Sequence, residues 1–152
     1  MDKRINILYE DNHLLVVEKP SNIPVMEDES KDEDLLTILK QDIKVRYNKP
    51  GEVYLGLVHR LDRPVSGIVV LAKTSKALER LNAMFRDGGV TKVYWALVCN
   101  EPVEKEKLLE GMLWRNEKQN KSYMCRPGAA RKDAKSARLK YKYISRTERY
   151  FL

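Results

Sequence analysis

Histidine and cysteine are nearly absent from this chain, with two of each in 152 residues. Cys99 and Cys125 have no second Cys or His at ligand spacing, which excludes a disulfide framework and a zinc site and leaves two reduced thiols. His13 and His59 alone cannot build a His-rich metal centre, so most metalloenzyme classes fall away. Long apolar runs are missing too. The longest, 67–72 and 93–99, fall far short of the ~20 residues a membrane-spanning helix requires. Met1-Asp2-Lys3-Arg4 leads into a short apolar patch broken by Asn6 and Glu10. There is no apolar signal-peptide core and no small-residue cleavage site, so a cytoplasmic location is expected.

Charge, by contrast, is plentiful and uneven. Lys and Arg number 29 against 22 Asp and Glu, a formal net charge of +7. Residues 1–72 carry a net −3, residues 73–152 a net +10, and residues 111–152 hold 12 basic side chains against 3 acidic. There Arg115, Lys118, Lys121, Arg126, Arg131, Lys132, Lys135 and Arg138 are interleaved with Trp114, Tyr123 and Tyr141. A mild basic excess is ordinarily a solvated surface. A polarity this strong, set beside aromatic planes, makes RNA or DNA the leading partner class. The length and the 43% apolar content argue against disorder and for one domain over 1–152 that can bury its own core.

Runs 5–9 and 14–18 are β-rich and flank Glu10-Asp11-Asn12, so they read as paired strands ended by Lys19-Pro20. After an acidic loop over 27–34, Asp32 or Asp34 can cap a helix with Leu35, Leu36, Leu39 and Ile43 on one stripe. Runs 54–58 and 68–72 are strand-length. Thr74 or Ser75 opens a second helix that carries Ala77, Leu78, Leu81, Met84 and Phe85 on one face and ends at Gly88-Gly89. Alternation over 90–99 predicts a strand with Val93, Trp95, Leu97 and Cys99 facing the core and Tyr94 on the opposite face. Three more strands are expected over 111–115, 121–125 and 137–143, with Arg126-Pro127-Gly128 as the middle turn and a further strand beginning at Tyr150-Phe151-Leu152. The expected class is α+β: a mixed, mainly antiparallel sheet with a few helices.

Between the runs 54–58 and 68–72 lies the polar connection His59-Arg60-Leu61-Asp62-Arg63-Pro64-Val65-Ser66-Gly67. A turn aspartate is the ordinary account of Asp62. Two flanking arginines are harder to explain locally, and cations within ~4–6 Å would hold a carboxylate ionised, as a base or a nucleophile needs.

The string resembles the His-Arg-Leu-Asp-x-x-Thr-Ser-Gly signature of the RluA-like pseudouridine synthases, with six ordered identities in nine residues. Ile7-Leu8-Tyr9-Glu10-Asp11, Lys19-Pro20, Ile68-Val69-Val70-Leu71-Ala72-Lys73 and Lys92-Val93-Tyr94 are similar to that family's flanking motifs. The resemblance implies a pseudouridine synthase catalytic domain over 1–152. Asp62 is then the catalytic carboxylate, acting on the uridine as nucleophile or as base at the sugar. Tyr94 packs on the flipped uracil and takes the C5 proton. Arg60, which displaces the target base from its stack, Arg63 and Lys92 are the substrate-binding residues. It also implies RNA, ribosomal or transfer, as partner, and an isomerase of the intramolecular-transferase kind that works without cofactor or metal. His59 is expected to be structural.

Two departures concern single residues: Val65 stands where the signature has Thr, and Asn22 stands where Gly is common. A third is larger. No position matches the family's later segment, whose arginine pairs with the catalytic aspartate. The expectation is therefore that the 152-residue chain stops inside the fold and has little activity alone; a non-catalytic RNA-binding module that kept the fold is the alternative.

Overall fold

The acidic turn at Asp11 organises the start of the chain. Its carboxylate accepts the N–H groups of His13 and Leu14 at 2.7 and 2.6 Å, the local bonding that suits Asp to turns. On either side, β1 (Asn6–Glu10) and β2 (Leu14–Lys19) pair antiparallel. β3 (Gly56–Leu57) and β4 (Gly67–Ala72) complete an antiparallel sheet in the order β1-β2-β4-β3. The computed structural model describes residues 5–126, 128 and 131–152, and its packing falls into two compact units, Met1–Lys92 and Val93–Leu152.

In the first unit, strand alternation separates two sheet faces. The pairs Leu15↔Leu71, Val17↔Val69 and Lys19↔Gly67 share one of them. Leu15, Val17, Val69 and Leu71 are fully buried there under Leu35, Leu39 and Ile43 of α1 (Leu35–Arg46). Of the two candidate caps, Asp34 is the one used: its carboxylate accepts from the Thr37 N–H at 3.1 Å and the Thr37 hydroxyl at 2.7 Å. The next two orphan N–H groups, of Leu35 and Leu36, donate to the carbonyls of Pro24 and Val25. Of the two candidate openers of helix α2 (Ser75–Arg86), Thr74 is the cap. It ends where Gly88 turns to φ +75° and the Gly89 N–H reaches back to the Met84 carbonyl. No helix among the described residues is long and apolar enough to cross a membrane.

The second unit holds an antiparallel sheet in the order β6-β5-β7, from β5 (Glu106–Asn116), β6 (Lys121–Met124) and β7 (Lys135–Lys142). β5 begins earlier than the apolar pattern indicated. Glu106 and Glu110 look like linker, yet they pair across the ladder with Lys140 and Arg138. In the turn expected at Arg126-Pro127-Gly128, Pro127 lies outside the described residues.

The expected strand over 90–99 does not form. Val93, Trp95 and Leu97, the anticipated core face, are 79%, 80% and 64% exposed, and Cys99 is exposed as well. A strand needs a neighbouring backbone, and among the described residues only Val98 finds one, exchanging bonds with Phe151 at 2.9 and 3.0 Å. The terminal run 150–152 supplies that bridge and a second one, from Phe151 to Arg146, but no named strand. The whole remains α+β, mainly antiparallel with two helices, as the sequence indicated.

Candidate active site

The loop from Val58 to Ser66 joins β3 to β4, and its middle is pinned to the turn that follows β2. The Lys19 ammonium donates to the Arg63 carbonyl at 3.1 Å, the Asn22 N–H to the same oxygen at 2.8 Å, and the Ser21 hydroxyl to the Pro64 carbonyl at 2.7 Å. Asn22 meets that oxygen from the left-handed region, φ +68°, which Asn enters more readily than other non-glycine residues. Within the loop, the Asp62 carbonyl accepts from the Val65 N–H at 3.0 Å. Gly67, at φ +143°, occupies backbone space that side chains rarely adopt.

Lys19 is the residue whose role sequence reasoning missed. It is fully buried, and its three N–H bonds are all used, on the carbonyls of Arg63, Pro20 at 2.9 Å and Ile23 at 2.8 Å. Burial pushes its ammonium pKa below the usual lysine value. The signal was present in the alternation: Leu15, Val17 and Lys19 fall on one strand face, so the lysine had to point into the core.

Asp62 itself is exposed, and among the described residues no hydrogen bond or ion pair engages its carboxylate. The flanking arginines turn elsewhere. Arg63 donates to the Ser30 hydroxyl at 2.9 Å, pairs with Asp32 and lies 3.9 Å from Asp28. That guanidinium holds Asp32 below the ordinary carboxylate range, while Asp28 is lowered first by the Ser30 hydroxyl and N–H and then by Arg63. Arg60 is exposed, with one nitrogen 3.9 Å from the Met26 sulfur.

His59 stacks on Phe85 with ring centroids 5.0 Å apart, and its Nε2 accepts the Val70 N–H at 3.0 Å. Burial, with the Lys92 charge added, lowers its pKa below 6.5. A neutral imidazole accepting through one nitrogen is a structural part of the loop's entry. Lys92 closes the first unit, and Tyr94 belongs to the second, where it is 58% exposed. A cavity of about 270 Å³ lies at the opposite end of β2, lined by His13, Leu14, Ala77 and Leu81 among others, and includes no residue of the Asp62 loop.

Residues 13–152 match the family model described as RNA pseudouridylate synthase. The chain is similar to the ribosomal large subunit pseudouridine synthase C of Vibrio vulnificus, 40% identical over 73% of this chain and 33% of that protein. It is also similar to the mitochondrial pseudouridylate synthase RPUSD4 of Xenopus tropicalis, 34% identical over 68% of this chain and 32% of that protein. The chain thus spans about a third of the length of the curated relatives it matches. In fold it resembles the solved human RNA pseudouridylate synthase domain containing 4, with TM-score 0.77 and 24% identity over 96% of this chain and 56% of that one. The matched span contains the whole His59–Gly67 loop with its pinning turn, and the chain belongs to the RNA pseudouridylate synthase family, in its RluA-like branch.

Proposed function

We propose that residues 1–152 are catalytic-domain sequence of an enzyme that isomerises uridine to pseudouridine in RNA, with Asp62 as the reacting carboxylate. The reaction breaks the bond from C1′ to N1 of uracil, turns the base, joins C1′ to C5, and moves a proton from C5 to N1. It needs one carboxylate at the sugar and one proton acceptor near C5. The observation that carries the reading is Asp62: a carboxylate exposed and unengaged among the described residues, on a loop fixed by three hydrogen bonds from Lys19, Ser21 and Asn22. An unengaged carboxylate on a rigid loop suits attack or proton abstraction, because the protein spends no step releasing it.

Tyr94 is assigned to the uracil and its C5 proton, and Arg60 and Lys92 to contacts with the RNA, whereas Arg63 is engaged by Asp32, Asp28 and Ser30. Unstacking the target uridine costs a few kcal/mol, which phosphate contacts offset. The name of the Vibrio vulnificus relative supports RNA of the large ribosomal subunit as the substrate, and the cytoplasm is the proposed place of action.

The test is Asp62→Asn in the native protein, read by tritium release from uridine-labelled RNA and by RNA binding. Pseudouridine formation should disappear while affinity changes less than about threefold, under 0.7 kcal/mol. Turnover surviving in that variant would refute the assignment.

A further inference from the structure

We infer that the Arg131–Trp114–Tyr123 stack on the β5–β6 hairpin is an RNA subsite that holds one unpaired base by stacking. The inference rests on reading RNA as the substrate. Trp114 and Tyr123 are directly paired across the two strands, with ring centroids 5.3 Å apart and planes inclined at 26°. The Arg131 guanidinium carbon sits 3.8 Å from the centre of the indole. Two of the three members are held from outside the stack: Arg131 is clamped by a bidentate pair with Asp133 at 2.9 Å, and the Tyr123 hydroxyl donates to Gln119 at 2.7 Å.

A cross-strand aromatic pair alone would serve to hold a hairpin together. That account leaves the surroundings unexplained. Tyr123 keeps 38% of its surface open, and Lys121 lies on the same strand face two residues away. Lys118 projects from the connecting turn, and neither lysine has an ion pair among the described residues. Leu109, Leu113 and Leu139 lie on the opposite face of the sheet, away from the stack. Residues 93–152 hold 14 Lys and Arg against 7 Asp and Glu, whereas residues 1–92 hold 15 of each. A fixed, open π-surface among free cations in the basic unit matches a base flanked by its phosphates.

The experiment uses the 152-residue chain and two labelled oligoribonucleotides of about 12 nucleotides, one with bases and one abasic, so that phosphate number is constant. The wild-type chain should prefer the base-bearing strand by about 5- to 150-fold, the range for one stacked base. Tyr123→Ala should abolish that preference and leave the salt dependence of binding to the abasic strand unchanged, because no phosphate contact is lost. Tyr123→Phe, which keeps the ring, should retain it. Preference persisting in Tyr123→Ala, or absent from wild type, overturns the subsite and leaves the catalytic reading standing. Failure of wild type to bind either strand removes the subsite too, and counts against RNA binding by this chain, whereas the Asp62→Asn assay reports separately on the chemistry.

Discussion

Replacing Lys19 by Met tests whether the buried ammonium is what holds the Asp62 loop. Substituting apolar residues for a buried ion pair is often harmless, because both charged partners leave together. Here the partners are three backbone carbonyls, and they stay. The bond to Ile23 is buried, and those to Pro20 and Arg63 are part-buried. The Arg63 oxygen keeps the Asn22 N–H, so two carbonyls are orphaned; at 1–3 kcal/mol per group, about 2 for Ile23 and about 1 for Pro20 gives about 3 kcal/mol. Met also avoids the cost of burying a charge, which the depressed pKa of Lys19 registers, and that offsets part of the loss. The net loss is about 2 kcal/mol, or about 4–8 °C in Tm for a chain of this size. Thermal melts followed by circular dichroism measure it. Amide exchange at Asn22, whose N–H shares the Arg63 oxygen, should accelerate in parallel. In the native enzyme kcat should fall more than KM rises, since the loop that positions Asp62 is loosened. A Tm within about 2 °C of wild type would sink the argument.

Glu10 accepts from Lys73 at 2.7 Å, Arg46 at 2.9 Å and Tyr47 at 3.1 Å; burial raises its pKa, and these bonds outweigh burial and hold it below 4.5. Glu10→Gln should therefore cost about 1–3 kcal/mol at pH 7, with the gap from wild type closing as pH falls through the depressed pKa; a gap that persists in acid refutes the linkage. His59 is depressed below 6.5, chiefly by burial, so its contribution is complete above pH 6.5 and is lost as pH falls through its folded pKa. Tm measured from pH 7.5 to 5.5 should fall more steeply in wild type than in His59→Gln, which keeps an acceptor for Val70 but does not titrate, and equal slopes would refute the assignment. Arg63→Ala should leave the salt slope of RNA binding nearly unchanged, because Arg63 already has anionic partners; a slope reduced by about 1 would show it to be a free phosphate ligand.

Most of the fold was legible because its signals are local. Asp34 and Thr74 announce their helices, Gly88-Gly89 ends one, and the alternation of Leu15 and Val17 marks the buried face of β2. What failed was cooperative. Val93, Trp95, Leu97 and Cys99 alternate as a core strand should, but pairing is a property of two backbones, and only Phe151 approaches. Glu106 and Glu110 failed in the other direction, since their strand character comes from partners more than 25 residues away on β7. In the site, the proposal of Asp62 rests on its nine-residue string. That string could not show its anchoring, because the atoms that pin the loop belong to Lys19, Ser21 and Asn22. It could not show the direction of Arg63 either, because Asp28 and Asp32 lie in a segment whose acidity had no evident purpose.

That acidic segment changes how the electrostatics must be divided. Flanking arginines beside a catalytic carboxylate suggest a loop that attracts the substrate and tunes its own aspartate. The structure assigns Arg63 to Asp32, Asp28 and Ser30 instead. A phosphate arriving at Arg63 would exchange one anion for another at an exposed pair, where each partner is worth about 0–1 kcal/mol, so little net affinity arises there. Residues 1–92, with 15 charges of each sign, present no excess field. Affinity for a polyanion must then come chiefly from residues 93–152 and their net +7. On the proposed function, loop and basic unit do separate jobs: hydrogen bonds to carbonyls set where the carboxylate stands, and cations elsewhere in the chain hold the RNA. Salt should therefore weaken binding steeply while leaving the chemistry of bound RNA almost untouched, since the bonds that fix Asp62 have no mobile counterions to lose.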